Sequence, residues 1–148
     1  MAEGDGAIYN YFKTYLMGGL YNLANGGNTL KMMLVHGYTP NIDTHTKLGD
    51  VSASDYTTAL GYTAAGKALT GQAISQDNAA DRGAFDANDV AWTGLGPLAT
   101  NPPSHCILYN DSDVTTPKGL ICYWELGVTL TNGGDYTLVF GAKIIYLT

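Results

Sequence analysis

Gly119-Leu120-Ile121-Cys122-Tyr123-Trp124-Glu125-Leu126-Gly127-Val128-Thr129-Leu130 is the stretch whose reading decides the fold. Leu120, Cys122, Trp124 and Leu126 point one way, and Ile121, Tyr123 and Glu125 the other, which is the period of a β-strand. Thr131-Asn132-Gly133-Gly134-Asp135 follows, a turn sequence whose residues tolerate positive φ. Residues 136–140 and then 144–147 read as strands that complete an antiparallel hairpin.

The same period recurs toward the N-terminus. In residues 29–35, Leu30, Met32 and Leu34 share one face while Lys31, Met33 and Val35 share the other. Residues 67–74 read as a second strand, 82–85 and 90–92 as short ones. In residues 105–109, Cys106 and Leu108 oppose Ile107 and Tyr109. A helix precedes all of these, over about residues 5–18, because Ile8, Tyr11, Phe12, Tyr15 and Leu16 form a single helical stripe. Asp5 is its candidate N-cap, and Gly18-Gly19 stops it. Short strands separated by turns, with no second helical pattern, define a mainly β fold: an antiparallel β-sandwich or barrel, jelly-roll-like, preceded by one N-terminal amphipathic helix. One domain over residues 1–148 is expected, with the sandwich over 29–148. Residues 36–50 read as a long loop of the kind that is functional or ordered by a partner. Residues 94–104, with Pro97, Pro102 and Pro103, form a second irregular segment.

Composition bounds the function. Charged residues are 14% of the 148, against roughly 25% in ordinary soluble domains, while Gly (19) and Tyr (11) are abundant. A surface poor in charge and rich in tyrosine suits a protein in constant contact with neighbours. The net charge is −6, and the seven basic residues are scattered singly. Binding to nucleic acid needs clustered positive charge, as does binding to an anionic membrane, so neither partner is expected. Met1 to Gly6 lacks the basic start and apolar run of a signal peptide, and no apolar stretch approaches a membrane span. Cys106 and Cys122 are too few for a disulfide scaffold, and whether they pair is left open.

Chemistry finds little support. Asp77, Asp81, Asp86 and Asp89 are the only acidic cluster, at spacings that fit no calcium loop; they read as turn and cap residues. His36, His45 and His105 have no zinc spacing. His105 and Cys106 are successive strand residues and so point to opposite faces. There is no Gly-x-Ser-x-Gly elbow, and Gly133-Gly134 lacks the context of a phosphate loop. No catalytic residue, metal or cofactor is expected. Trp92, Trp124 and the tyrosines are core residues, contact anchors or a sugar-stacking platform; Trp124, on a strand face with Leu120, Cys122 and Leu126, reads as core.

An ordered series of motifs then carries a resemblance. It runs from Ile8-Tyr9-Asn10-Tyr11-Phe12 and Thr29-Leu30-Lys31-Met32-Met33-Leu34 to Tyr38-Thr39-Pro40-Asn41-Ile42-Asp43-Thr44-His45. Gly61-Tyr62-Thr63-Ala64-Ala65-Gly66-Lys67-Ala68-Leu69 and Phe85-Asp86-Ala87-Asn88-Asp89-Val90-Ala91-Trp92 follow. Leu108-Tyr109-Asn110-Asp111, Leu120-Ile121-Cys122-Tyr123-Trp124-Glu125-Leu126-Gly127 and Gly134-Asp135-Tyr136-Thr137-Leu138 complete it. In this order the chain resembles virion proteins of tailed bacteriophages that look like capsid decoration, or cement, proteins. Ala142-Lys143 departs from the glycine that similar chains often have before the last strand.

The resemblance implies a β-rich subunit, a homotrimer, made in the host cytoplasm and seated on the capsid exterior against the major capsid protein. It would stabilise the shell against internal DNA pressure without catalysis. The expected partner contacts are Tyr9, Phe12 and Tyr15 of the helix, and Tyr38, Pro40, Ile42 and Asp43 of the long loop. The alternatives are a tail or neck component, and a carbohydrate-binding β-sandwich module.

Overall fold

The computed structural model describes residues 6–56, 60–96, 102–112, 118–128, 130, 132–141 and 143–147. The elements are β1 (Gly6–Ile8), α1 (Asn10–Met17), β2 (Leu30–Val35), β3 (Lys67–Ala68), β4 (Ala73–Asp77), β5 (Arg82–Asp86), β6 (Val90–Leu95), β7 (His105–Asn110), β8 (Leu120–Glu125), β9 (Gly134–Leu138) and β10 (Ile145–Leu147). They build three antiparallel sheets, ordered β1-β8-β7-β2-β3, β10-β5-β4 and β6-β9. The packing is sandwich-like and does not close into a barrel.

The five-stranded sheet is the centre, and β2 and β7 are its middle. They pair from Leu30↔Asn110 to Val35↔His105. Alternation sends Leu30, Met32, Leu34, Cys106 and Leu108 to one face, where Phe85, Trp92, Leu95, Tyr136, Leu138 and Phe140 of the smaller sheets and their connections cover them. Met33, Val35, Ile107 and Tyr109 occupy the other face, covered by Tyr9, Tyr38 and Val51. Both faces are therefore dry, and each large side chain moved out of water contributes on the order of 1.5–3 kcal/mol. Dry faces on both sides explain why β7 is buried along its whole length, His105 and Asn110 included.

Four expectations need correction. The helix starts at Asn10, not near residue 5, and Ile8 belongs to β1, opposite Cys122. The open edge of β8 offers residues 6–8 backbone partners that a helix would forgo. Asp5 lies outside the described residues; the first helical N–H, that of Asn10, is instead taken by the carbonyl of Ile42 at 3.1 Å. The helix does stop at Gly18-Gly19, with Gly19 at φ 69° and the Leu20 N–H returning to the Tyr15 carbonyl at 3.0 Å.

Residues 67–74 are not one strand. Lys67 and Ala68 pair with β2, whereas β4 pairs with β5, and Gly71 at φ 65° turns the chain between the two sheets. The expected C-terminal hairpin is also absent: β9 pairs with β6, and β10 with β5. Trp92 and Tyr136 stack across β6 and β9 at 6.0 Å and 8°, while the Asp89 and Asp135 carboxylates accept the Phe140 and Gly94 N–H groups at 2.9 Å.

Finally, β8 ends at Glu125 and carries a register shift opposite Leu108 and Tyr109, which face Cys122 and Leu120. The extra residue, Ile121, joins Cys122 and Trp124 in the inner core, and Leu120 moves to the other face.

Candidate partner interface

The two segments expected to meet partners meet each other. The long loop folds over the outer face of the central sheet, and Tyr38 drops into it. Its hydroxyl lies 2.5 Å from that of Tyr9 and 2.9 Å from Nδ1 of His45. The Tyr38 ring meets His105 edge-on at 5.5 Å and Tyr123 at 6.3 Å. At the rim, the Asn10 side-chain amide donates to the Asp43 carboxylate at 2.6 Å, beside the Asn10–Ile42 backbone bond. Helix start and loop are thus one unit.

This sorts the seven expected contact residues. Tyr9, Phe12 and Tyr38 are buried in their own chain, at 0%, 0% and 7% exposure, so they offer no surface to a partner. Tyr15 is half-buried, 4.2 Å from the Tyr11 ring in a stack. Pro40 and Ile42 are half-buried and Asp43 is exposed. A stripe of aromatic residues in a short chain reads equally as core or as interface; in this fold most of it is core.

Apolar side chains that are open lie further along; Leu60, Val128 and Val139 are exposed singly. Met17 and Leu20, at the helix end, are 82% and 58% exposed. The neighbouring Leu16, Tyr21 and Leu23 wall a cleft of about 180 Å³, floored by Ile74, Phe85, Ile145 and Leu147. Ile74 (59%) and Leu147 (39%) stand open at its edge. Pairing explains the floor: Ile74 lies opposite Phe85, and Phe85 opposite Ile145, so all three share one face. Helix α1 and the residues after it cover that face only in part. Sequence reasoning missed this surface. Its signals were Met17 and Leu20 flanking the Gly-Gly stop, and Ile74 as the one large apolar residue of Ala73–Asp77.

Several acidic groups are engaged by particular partners. Asp77 pairs with Arg82 (2.9 Å) and Asp86 with Lys143 (3.1 Å), while Asp89 holds the Phe140 N–H. Asp111 binds Lys31 at 2.9 Å and Lys118 at 2.5 Å. Burial works to raise Asp111, and the two ammonium groups outweigh it, so its carboxyl lies below the ordinary range. Burial also holds His105 below the ordinary histidine value, against the opposing pull of Glu125 at 3.8 Å. Cys106 and Cys122 are buried free thiols, not a disulfide, and burial followed by the neighbouring Cys106 pushes the Cys122 thiol up.

Among the described residues no group of three His, Cys, Asp or Glu is placed to hold a metal ion, and no helix is long and apolar enough to cross a membrane. Matched against protein-family models, curated proteins and solved structures, the chain has no counterpart.

Proposed function

We propose that the chain is a non-catalytic virion protein that decorates the outside of a tailed-phage capsid and binds the major capsid protein. The observation that carries this reading is exposed apolar side chains, Met17 and Leu20 at the helix end and Ile74 and Leu147 at an apolar cleft, on a chain with so few charges. Apolar side chains left open beside an apolar cleft suit a contact surface. The motif order from Ile8 to Leu138 supplies the address, and the negative net charge suits the side of the shell away from DNA. Many modest contacts, repeated by the symmetry of the shell, sum to a large stabilisation. By the same resemblance the subunit acts as a homotrimer.

The alternative of a sugar-binding module is weaker. Stacking on a sugar needs an open ring, and every Trp, Tyr and Phe is buried or half-buried; half-buried Tyr146 is further covered by the Arg82 guanidinium at 3.6 Å.

The experiment is a binding isotherm of the purified protein on empty expanded heads. Saturable binding, with a rise in the temperature at which the heads break, is expected. Binding to tails alone moves the protein to the tail or neck; binding to neither overturns the reading.

A further inference from the structure

β4 is an edge strand of the three-stranded sheet, and Ala73, Ile74, Ser75 and Gln76 are all exposed. Edge strands are ordinarily guarded by lysine, proline, a bulge or a covering element, because their unpaired backbone groups recruit another strand. This one has no lysine or proline, runs in unbroken register with β5, and presents Ile74 at 59% exposure.

Its open groups can be named. The Phe85 carbonyl accepts the Ile144 N–H at 2.9 Å, so Phe85 directs its backbone toward β10. Backbone direction alternates along a strand, so Arg82, Ala84 and Asp86 direct theirs toward β4. They are paired with Asp77, Ser75 and Ala73. Ile74 and Gln76 are left with N–H and C=O turned to the open edge.

We infer that β4 pairs antiparallel with β4 of a second copy, about a two-fold axis at Ser75. Ile74 of each copy then lies opposite Gln76 of the other, and every outward backbone group of the strand is used. Two three-stranded sheets become one of six, and Ile74 gains cover on the face it shares with Phe85. Charge permits the contact on a chain of net −6: residues 73–76 carry none, and Asp77, already held by Arg82 at 2.9 Å, falls opposite Ala73. The contact is isologous. It does not rest on the capsid reading, although it covers Ile74, one of the open residues named there, and it adds a two-fold link to any three-fold association.

Ser75 faces its own copy at a non-hydrogen-bonded position, where Cα atoms lie about 4.5 Å apart, within the range a disulfide spans. Ser75→Cys tests the pairing, since the native Cys106 and Cys122 are buried. On mild oxidation a disulfide-linked pair is expected as the main species on a non-reducing gel. Adding Gln76→Pro removes an outward N–H that the chain's own sheet does not use, so the link should vanish while Trp92 and Trp124 report a native fold. Leu60→Cys, 77% exposed elsewhere, should stay unlinked. No linked pair in Ser75→Cys, a pair indifferent to Gln76→Pro, or equal linking through Leu60→Cys would overturn the inference.

Discussion

The hydroxyl of Tyr9 meets that of Tyr38 at 2.5 Å inside the protein, joining the start of the helix to a loop residue 29 positions later. Tyr38 also reaches His45, so a run of three polar groups crosses an otherwise apolar layer.

Tyr38→Phe takes away the partner of both neighbours and should cost about 1–3 kcal/mol, the penalty for stranding buried polar groups. Tyr9→Phe leaves the Tyr38–His45 bond intact and should cost less, roughly 0.5–1.5 kcal/mol. Urea unfolding followed by the fluorescence of buried Trp92 and Trp124 measures both; equal costs would break the proposed order.

Alkaline stability follows from buried tyrosines. Burial pushes the hydroxyls of Tyr9, Tyr62 and Tyr109 above the ordinary value of 10.0. Unfolded tyrosines ionise near that value while these keep their protons, so the folded state binds more protons at high pH. Their contribution is complete below about pH 10 and is lost as pH rises beyond it. Tyrosinate absorbance from these three should appear together with unfolding, in one cooperative step. Gradual ionisation in a protein that stays folded would count against their burial.

Much of this interior was legible in the chain. The alternation of Leu30, Met32 and Leu34 against Met33 and Val35 appears in the structure as written, because a strand covered on both sides keeps its period. What escaped is non-local. Nothing near Tyr136 announces that β9 will choose β6, and one extra residue at Ile121 reverses the face of Leu120 without a sequence mark. The contact surface escaped for a related reason. Tyr9 and Ile74 are both apolar residues at sound spacings, and only the cover laid over each, complete for one and partial for the other, separates core from surface.

Two turns are held by acids, Asp55 buried and Asp111 partly buried. Buried Asp55 accepts the Tyr62 hydroxyl and the Ala65 N–H, each at 2.7 Å. Asp55→Ala strands both donors and should cost about 2–4 kcal/mol. Asp111→Asn, at a partly buried bridge to two lysines, should cost about 1 kcal/mol at neutral pH and less in high salt. The lowered Asp111 value makes its contribution present above the ordinary 3.8 and lost as pH falls below it. In acid Asp111→Asn should therefore approach the parent protein, and a constant gap would contradict the bridge.

A Cβ at Gly66, where φ is 81°, would fall on the Met32 carbonyl. Gly66→Ala should cost more than about 2 kcal/mol, strain and clash together. At Gly83 a Cβ meets nothing within 4 Å, so Gly83→Ala should leave the unfolding midpoint nearly unchanged. The reverse order would refute the packing of β2 against the turn before β3.

The capsid reading is tested most directly by titrating empty expanded heads with the parent protein and with a Met17→Glu, Leu20→Glu variant. Both side chains are open, so the variant should fold with an unchanged urea midpoint. Saturable binding by the parent is expected, with at least a tenfold weaker affinity for the variant, about 1.4 kcal/mol or more lost at the contact. Absence of parent binding to heads, or identical binding by the folded variant, would contradict that reading.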